Sequence, residues 1–237
     1  MSLVDLERPA QVIDLETATL RELNATLHAQ SQAVRTTKWK ILNPRGQHAV
    51  ACGIDADIDV EIDGHVGYYC AGMNKRATVR VNGNAGTGVA ENMMSGMVVV
   101  NGDASQSAGA TGRGGLLTIR GNASARCGIS MKGIDIVVGG NVGHMSAFMA
   151  QAGNLVVLGS AGDALGDSIY EARLFVRGAV KSLGADCVEK KLEDKHRSLL
   201  SDILRRAGMD GIDISEFRRF GSARKLYNFH VDNIGAY

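Results

Sequence analysis

The sequence predicts an all-β fold: a single-stranded parallel β-helix of about seven 19-residue coils, with helical flanks at its N- and C-terminal ends. Three observations predict it. First, Gly64, Gly83, Gly102, Gly121, Gly140, Gly159 and Gly178 recur every 19 residues without insertion or deletion, and a fixed period of this size marks a repeat architecture. Second, two columns precede these anchor glycines. Four residues before them stand Val60, Val79, Val98, Leu117, Ile136, Leu155 and Leu174; two before them stand Ile62, Val81, Val100, Ile119, Val138, Val157 and Val176. Aliphatic, mostly β-branched residues at a period of two form a strand with one buried face. Third, 25 of the 30 glycines lie between Cys52 and Val188, as corners require where the backbone takes positive φ or two coils approach closely.

One short strand per 19 residues cannot bury its apolar face alone, but stacked identical units can. The interval is too short for a βαβ unit, which needs about 30 residues. Two residues after the anchor, Val66, Ala85, Ala104, Ala123, Val142, Ala161 and Val180 supply a second inward face. Seven after it, Ala71, Ala90, Gly109, Gly128, Ala147, Gly166 and Ala185 are small. The position following the anchor reads His65, Asn84, Asp103, Asn122, Asn141, Ser160 and Ala179. Asn and Asp suit tight corners, and stacked Asn side chains can bond to one another along the rod. Six steps of about 4.8 Å give a core roughly 29 Å long.

Three segments follow from this pattern: an N-terminal arm and helix over residues 1–38, the β-helix over 39–188, and a C-terminal helix and tail over 189–237. In the arm, Val12, Ile13 and Leu15 read as a short strand. Thr19 and Glu22 form a capping box ahead of the helical stripe Leu20, Leu23 and Leu27. Trp39, Ile41 and Leu42, followed by Pro44 and Gly46, read as an imperfect first coil. After the coils, Leu192, His196, Leu199, Leu200, Ile203 and Ala207 share a helix face that ends with Arg205, Arg206 and Gly208. Asp213 and Glu216 predict a further turn of helix carrying Phe217 and Phe220. Tyr227, Phe229 and Val231 alternate as in a strand. A cover of this kind is expected over the open end of a β-helix.

Composition excludes several function classes. Net charge is +1 with Lys and Arg scattered, so there is no basic stripe for nucleic acid. No apolar run reaches about 18 residues, so no membrane span is expected. The N-terminus lacks a signal-peptide pattern, and the expected location is the cytoplasm. Cys70 and Cys127 share a column three coils apart, about 14 Å, too far for a disulfide. With Cys52 and Cys187 at opposite ends of the rod, all four read as reduced, inert thiols.

The chemistry-bearing residues do not converge. His65 and His144 fall in corner columns, and His196 sits on an apolar helix face. No His or Cys pair has zinc-like spacing. Gly112-Arg113-Gly114-Gly115 is a weak match to an anion cradle. Asp163, Asp167 and Glu171 read as corner and surface acids without an evident partner. The reading is therefore no catalytic, cofactor-binding or metal-binding residue on this chain, with the seven anchor glycines as its structural signature. An autonomous β-helix acyltransferase is the competing reading. Hexapeptide coils close in about 18 residues, however, whereas the period here is 19 with no six-residue subperiod.

The coils, such as Val79 to Gly88 and Met97 to Gly109, resemble the C-terminal Gly-Xaa-Gly-Xaa-Gly domain of the large subunit of glutamate synthase. That domain is also similar to one of the subunits of formylmethanofuran dehydrogenase. The resemblance covers about residues 40 to 188 and implies a right-handed β-helix. The flanks, Leu20-Arg21-Glu22-Leu23-Asn24 and Glu216-Phe217-Arg218-Arg219-Phe220-Gly221-Ser222-Ala223-Arg224-Lys225-Leu226-Tyr227, resemble the free-standing β-helix subunits of N-methylglutamate synthase (methylamine–glutamate N-methyltransferase). The resemblance implies a structural subunit of a heteromeric transferase. Its partners would be a glutamine amidotransferase-like subunit and a glutamate synthase-like subunit that binds FMN, with iron–sulfur clusters as a second candidate cofactor there. It carries no catalytic residue onto this chain; Ser2 stands where an N-terminal amidotransferase would have its cysteine nucleophile. Equivalent subunits of other glutamate synthase-like or formylmethanofuran dehydrogenase-like complexes share the coils.

Overall fold

A computed structural model describes residues 10–30 and 37–224. The described chain is mostly β, a parallel solenoid of about seven turns with two α-helices. Strand β1 (Gln11–Asp14) and helix α1 (Leu20–His28) precede the coils. The coil strands follow: β2 (Thr37–Leu42), β3 (Ile58–Asp63), β4 (Thr78–Val81), β5 (Met97–Val100), β6 (Leu116–Ile119), β7 (Lys132–Val138), β8 (Ala152–Val157) and β9 (Arg173–Val176). Then come β10 (Cys187–Lys190), helix α2 (Asp194–Arg206), a short 3-10 turn (Ile214–Glu216) and β11 (Arg218–Ser222).

Each strand from β1 to β8 pairs in parallel with the next. The register stacks like on like: Ile41 on Ile62, then Val81, Val100, Ile119, Val138, Val157 and Val176. The first step spans 21 residues, since Ile41 lies opposite Ile62, and every later one 19. The excess falls at Asn43 to Gly46, which is why Gly46 lies off the glycine register. A second ladder of single parallel bridges runs Val66, Ala85, Ala104, Ala123, Val142, Ala161 and Val180. Both inward columns enter one core, sealed at the first coil by α1 through the buried Leu23 and Leu27. Thr19 caps α1, its hydroxyl accepting from the Glu22 amide while the Glu22 carboxylate accepts from the Thr19 amide at 2.8 Å.

At the corners, close approach rather than positive φ accounts for most anchors. Of the seven, only Gly64 lies in the positive-φ range (φ 136°). The others are constrained by proximity. A Cβ on Gly102 would sit 2.8 Å from the Gly83 carbonyl oxygen and closer still to Asn84 Oδ1. Left-handed backbone falls elsewhere, notably seven residues after the anchors. There Ala71, Ala90 and Ala147 (φ 52–58°) alternate with Gly109, Gly128 and Gly166 (φ 67–69°). At Gly109, Gly128 and Gly166 glycine therefore answers a conformational demand as well as a packing one. The residue after the anchor forms a ladder chiefly to backbone rather than to its own kind. His65 Nδ1 accepts from the Asn84 amide, Asn84 Oδ1 from that of Asp103, Asp103 Oδ1 from that of Asn122, and Asn122 Oδ1 from that of Asn141.

The far end closes by an insertion. β11 pairs antiparallel with β9, and β10 lies outside it, antiparallel to β11. The expected helical turn is only the 3-10 turn. Phe217 follows it, and Phe220 lies on β11, fully buried at the end of the main core. The Tyr227, Phe229 and Val231 pattern lies outside the described residues.

Candidate interaction surface

The rod presents two outer surfaces. On the first, the outward face of β6 to β9, α2 lies along the stack. Leu200, Ile203, Leu204 and Ala207 pack on Leu116, Val137, Val156 and Phe175 in a second apolar cluster. The helix is pinned at its C-terminal end: Arg120 donates to the Gly208 carbonyl at 3.0 Å, and Arg206 pairs with Asp135 at 2.8 Å. Its N-terminal end lies by β9 and β11. There His196, 5% exposed, accepts the Glu193 amide proton on Nδ1. Burial, then Arg219, pushes the His196 pKa down.

Sequence reasoning missed this covered face, although one column announces it. Three residues before the anchors stand Glu61, Arg80, Val99, Thr118, Val137, Val156 and Phe175. Polar residues on β3 and β4 give way to apolar ones where α2 covers the sheet. On β2 to β4 the same face is charged, with Lys40–Asp63 at 2.9 Å and Arg80–Asp59 at 3.6 Å.

The second surface is formed by the turn columns that end each coil. Met73, Met94 and Met149 are 46%, 40% and 41% exposed there. Near its C-terminal end, Lys132, Met149, Gln151, Ala152, Tyr170 and Glu171 line an open depression. Flexible, polarizable methionines suit a contact surface that must adapt to another protein.

The residues singled out in the sequence stay apart. His65 serves the corner ladder and His144 is exposed. Asp163 does have a partner: Lys181, one coil on, bonds it at 2.8 Å and holds its carboxyl below the usual range. Asp167 accepts from the Ser168 hydroxyl at 2.9 Å. Glu171 is exposed. In the Gly112 to Gly115 loop, the Gly112 and Arg113 amides already donate to the carbonyls of Gly109 and Met93, which leaves a poor anion cradle. Among the described residues no three His, Cys, Asp or Glu side chains form a metal-holding group, and no helix is long and apolar enough to cross a membrane.

The four cysteines are free. Burial pushes the Cys70 and Cys127 thiols up to about 12, and Cys187 to about 11. Only the thiolate is nucleophilic. Native protein at pH 8 should therefore take up iodoacetamide at the partly exposed Cys52 first. Cys70 and Cys127 should be modified only after denaturant is added. Peptide mapping checks this, and early labelling of either buried thiol would contradict it.

These surfaces define a class: a β-solenoid with one face closed by its own helix and another left open to contact. The chain is 64% identical over 226 residues to Protein GlxC of Rhizobium meliloti (strain 1021), covering 95% of this chain and 99% of that protein. It belongs to the same family as Protein GlxC. No family model matches the chain, and no solved structure matches it.

Proposed function

We propose that this chain is a structural subunit of a glutamate synthase-like complex, and more specifically of N-methylglutamate synthase, which forms N-methyl-L-glutamate and ammonia from methylamine and L-glutamate. In this reading it contributes no catalytic residue. It braces an amidotransferase-like subunit against a synthase-like subunit that carries FMN. The kinship with Protein GlxC and the resemblance of the coils and flanks support the class; the flanks alone support the narrower assignment.

The observation that carries the bracing role is the 19-residue register that the core columns keep from β3 to β9, past a bulge between Lys132 and Asp135 on β7. Every coil is bonded to the next through backbone, so the rod cannot shorten or bend without breaking several ladders at once. A solenoid of this kind holds two bodies at a fixed separation, as a reaction needs when one subunit releases a small amine and another consumes it. The open methionine-bearing surface is where we place a partner.

Reconstitution tests the reading. The purified chain should bind no flavin and show no transferase activity, yet mixtures of the two other subunits should form N-methylglutamate only when it is added. Full activity without it would refute the bracing role. Flavin bound to the isolated chain would refute the division of labour.

A further inference from the structure

The C-terminal end of the sheet gathers positive charge that the fold offsets only in part, through Glu193. Arg219 lies opposite Phe175 in the β9–β11 register, and Phe175 faces outward under α2. Arg219 therefore faces outward as well. Arg173, two residues before Phe175, shares that face as its diagonal neighbour, a relation of about 7–8 Å between backbones. On the other side of β11, Lys190 lies directly opposite Arg219. Beside this pair Gly221, opposite Val188, presents no side chain, and a Cβ there would be 3.7 Å from Lys190 Cδ, so the lysine stem extends toward the glycine. Three cations thus share one face of three adjacent strands.

Two acids lie nearby. Glu189 pairs with Arg218 at 3.9 Å, and the Glu193 carboxylate bonds Lys195 at 2.9 Å while also lying 4.0 Å from His196 Nδ1 and acting on Arg219. Among the described residues Arg173, Lys190 and Arg219 have no ion-pair partner. Arg219 donates from Nη1 to the Lys191 carbonyl at 3.0 Å, while its Nε is buried without an acceptor. Burial and then Arg173 hold the Arg219 guanidinium below its ordinary range. The first turn of α2 closes the group with His196, whose Nδ1 accepts a proton from the Glu193 amide. Its Nε2 therefore bears a hydrogen, with no acceptor among the described residues. Like charges directly opposite each other on a sheet are destabilising, and a bound anion would remove that cost.

We infer that Arg173, Lys190 and Arg219, with His196 beside them, form a binding site for a small oxyanion, a carboxylate or a phosphate group. The guanidinium fork is the usual partner of both.

The test titrates the full chain with inorganic phosphate or with acetate at ionic strength held constant by chloride. The His196 imidazole is followed by NMR, with its resonance assigned by His196→Gln. A saturable shift is expected, with the His196 titration midpoint moving upward as negative charge arrives. Tighter binding of phosphate would assign the site to tetrahedral dianions, and tighter binding of acetate to carboxylates; either supports the inference. The double variant Arg173→Gln/Lys190→Gln should weaken binding at least tenfold while melting no earlier than the parent in chloride alone. The same shift with chloride alone, or undiminished binding by the double variant, would overturn the site. So would an earlier melt of the variant without oxyanion, since the cations would then serve the fold.

Discussion

Gly102→Val is expected to destabilise the protein by about 2 kcal/mol or more, the scale of other overpacking and backbone-strain effects. The cause is the stacking of anchors. The Gly102 amide donates to the Gly83 carbonyl at 3.0 Å, and the Gly121 amide donates to Gly102 at 3.1 Å. A Cβ on Gly102 would press on the Gly83 carbonyl, which is backbone held in the ladder, and on Asn84 Oδ1. Asn84 could rotate away only by giving up its bond from the Asp103 amide. The two β-branched methyls of Val then add bulk where even Ala is crowded. For a chain of this length the loss corresponds to a melting midpoint lower by roughly 4–8 °C. Gly46→Ala is the useful contrast, because φ is 72° there but a Cβ would meet nothing within 4 Å. It should show only the cost of left-handed backbone, about 1 kcal/mol. Equal midpoints for Gly102→Val and the parent would show that coil separation is not what demands the glycine.

What could be read in the sequence was what repeats. The columns at Val60 and Ile62 and their successors state the strand, its inward face and the stacking interval at once, because parallel in-register pairing places like on like. The capping box at Thr19 and Glu22 was equally plain, being a contact between residues three apart. The closing strand was not. Arg218–Ser222 pairs with β9 and β10, residues far away in sequence, and its spacing of Phe217 and Phe220 fits a helix face as well as the two sides of a strand. Those two phenylalanines in fact enter different clusters, Phe217 under α2 and Phe220 in the main core. The anchor glycines show a further limit. Sequence states that a side chain is excluded, but not whether φ or a neighbouring carbonyl excludes it. The cationic group at Arg173, Lys190 and Arg219 was hidden for the same reason as the closing strand: it exists only once β11 is inserted between β9 and β10.

The larger loss is expected from Phe175→Ala. Phe175 is fully buried on the outward face of β9, where it belongs to the cluster of Leu200, Ile203, Leu204 and Phe217 rather than to the rod interior. Removing a buried phenylalanine ring costs about 3–5 kcal/mol when the surroundings cannot collapse into the space. Here they cannot do so freely. The strand beneath is held by ladders to β8 and β11, and α2 is pinned further along by Arg206–Asp135 and by the Arg120 bond to the Gly208 carbonyl. The site of the loss also determines what fails. The core columns of the coils do not touch this ring, whereas α2 and the 3-10 turn rest on it through their apolar residues. Hydrogen exchange should therefore show the α2 amides losing protection while those of β3 to β6 keep theirs, alongside a lower urea midpoint. Met149→Ala, at a 41% exposed position on the open surface, should move the midpoint by no more than about 0.5 kcal/mol. If Phe175→Ala instead lowered protection evenly along the coils, α2 and the rod would be one cooperative unit, and the helix would be part of the fold's core rather than a cover added to it.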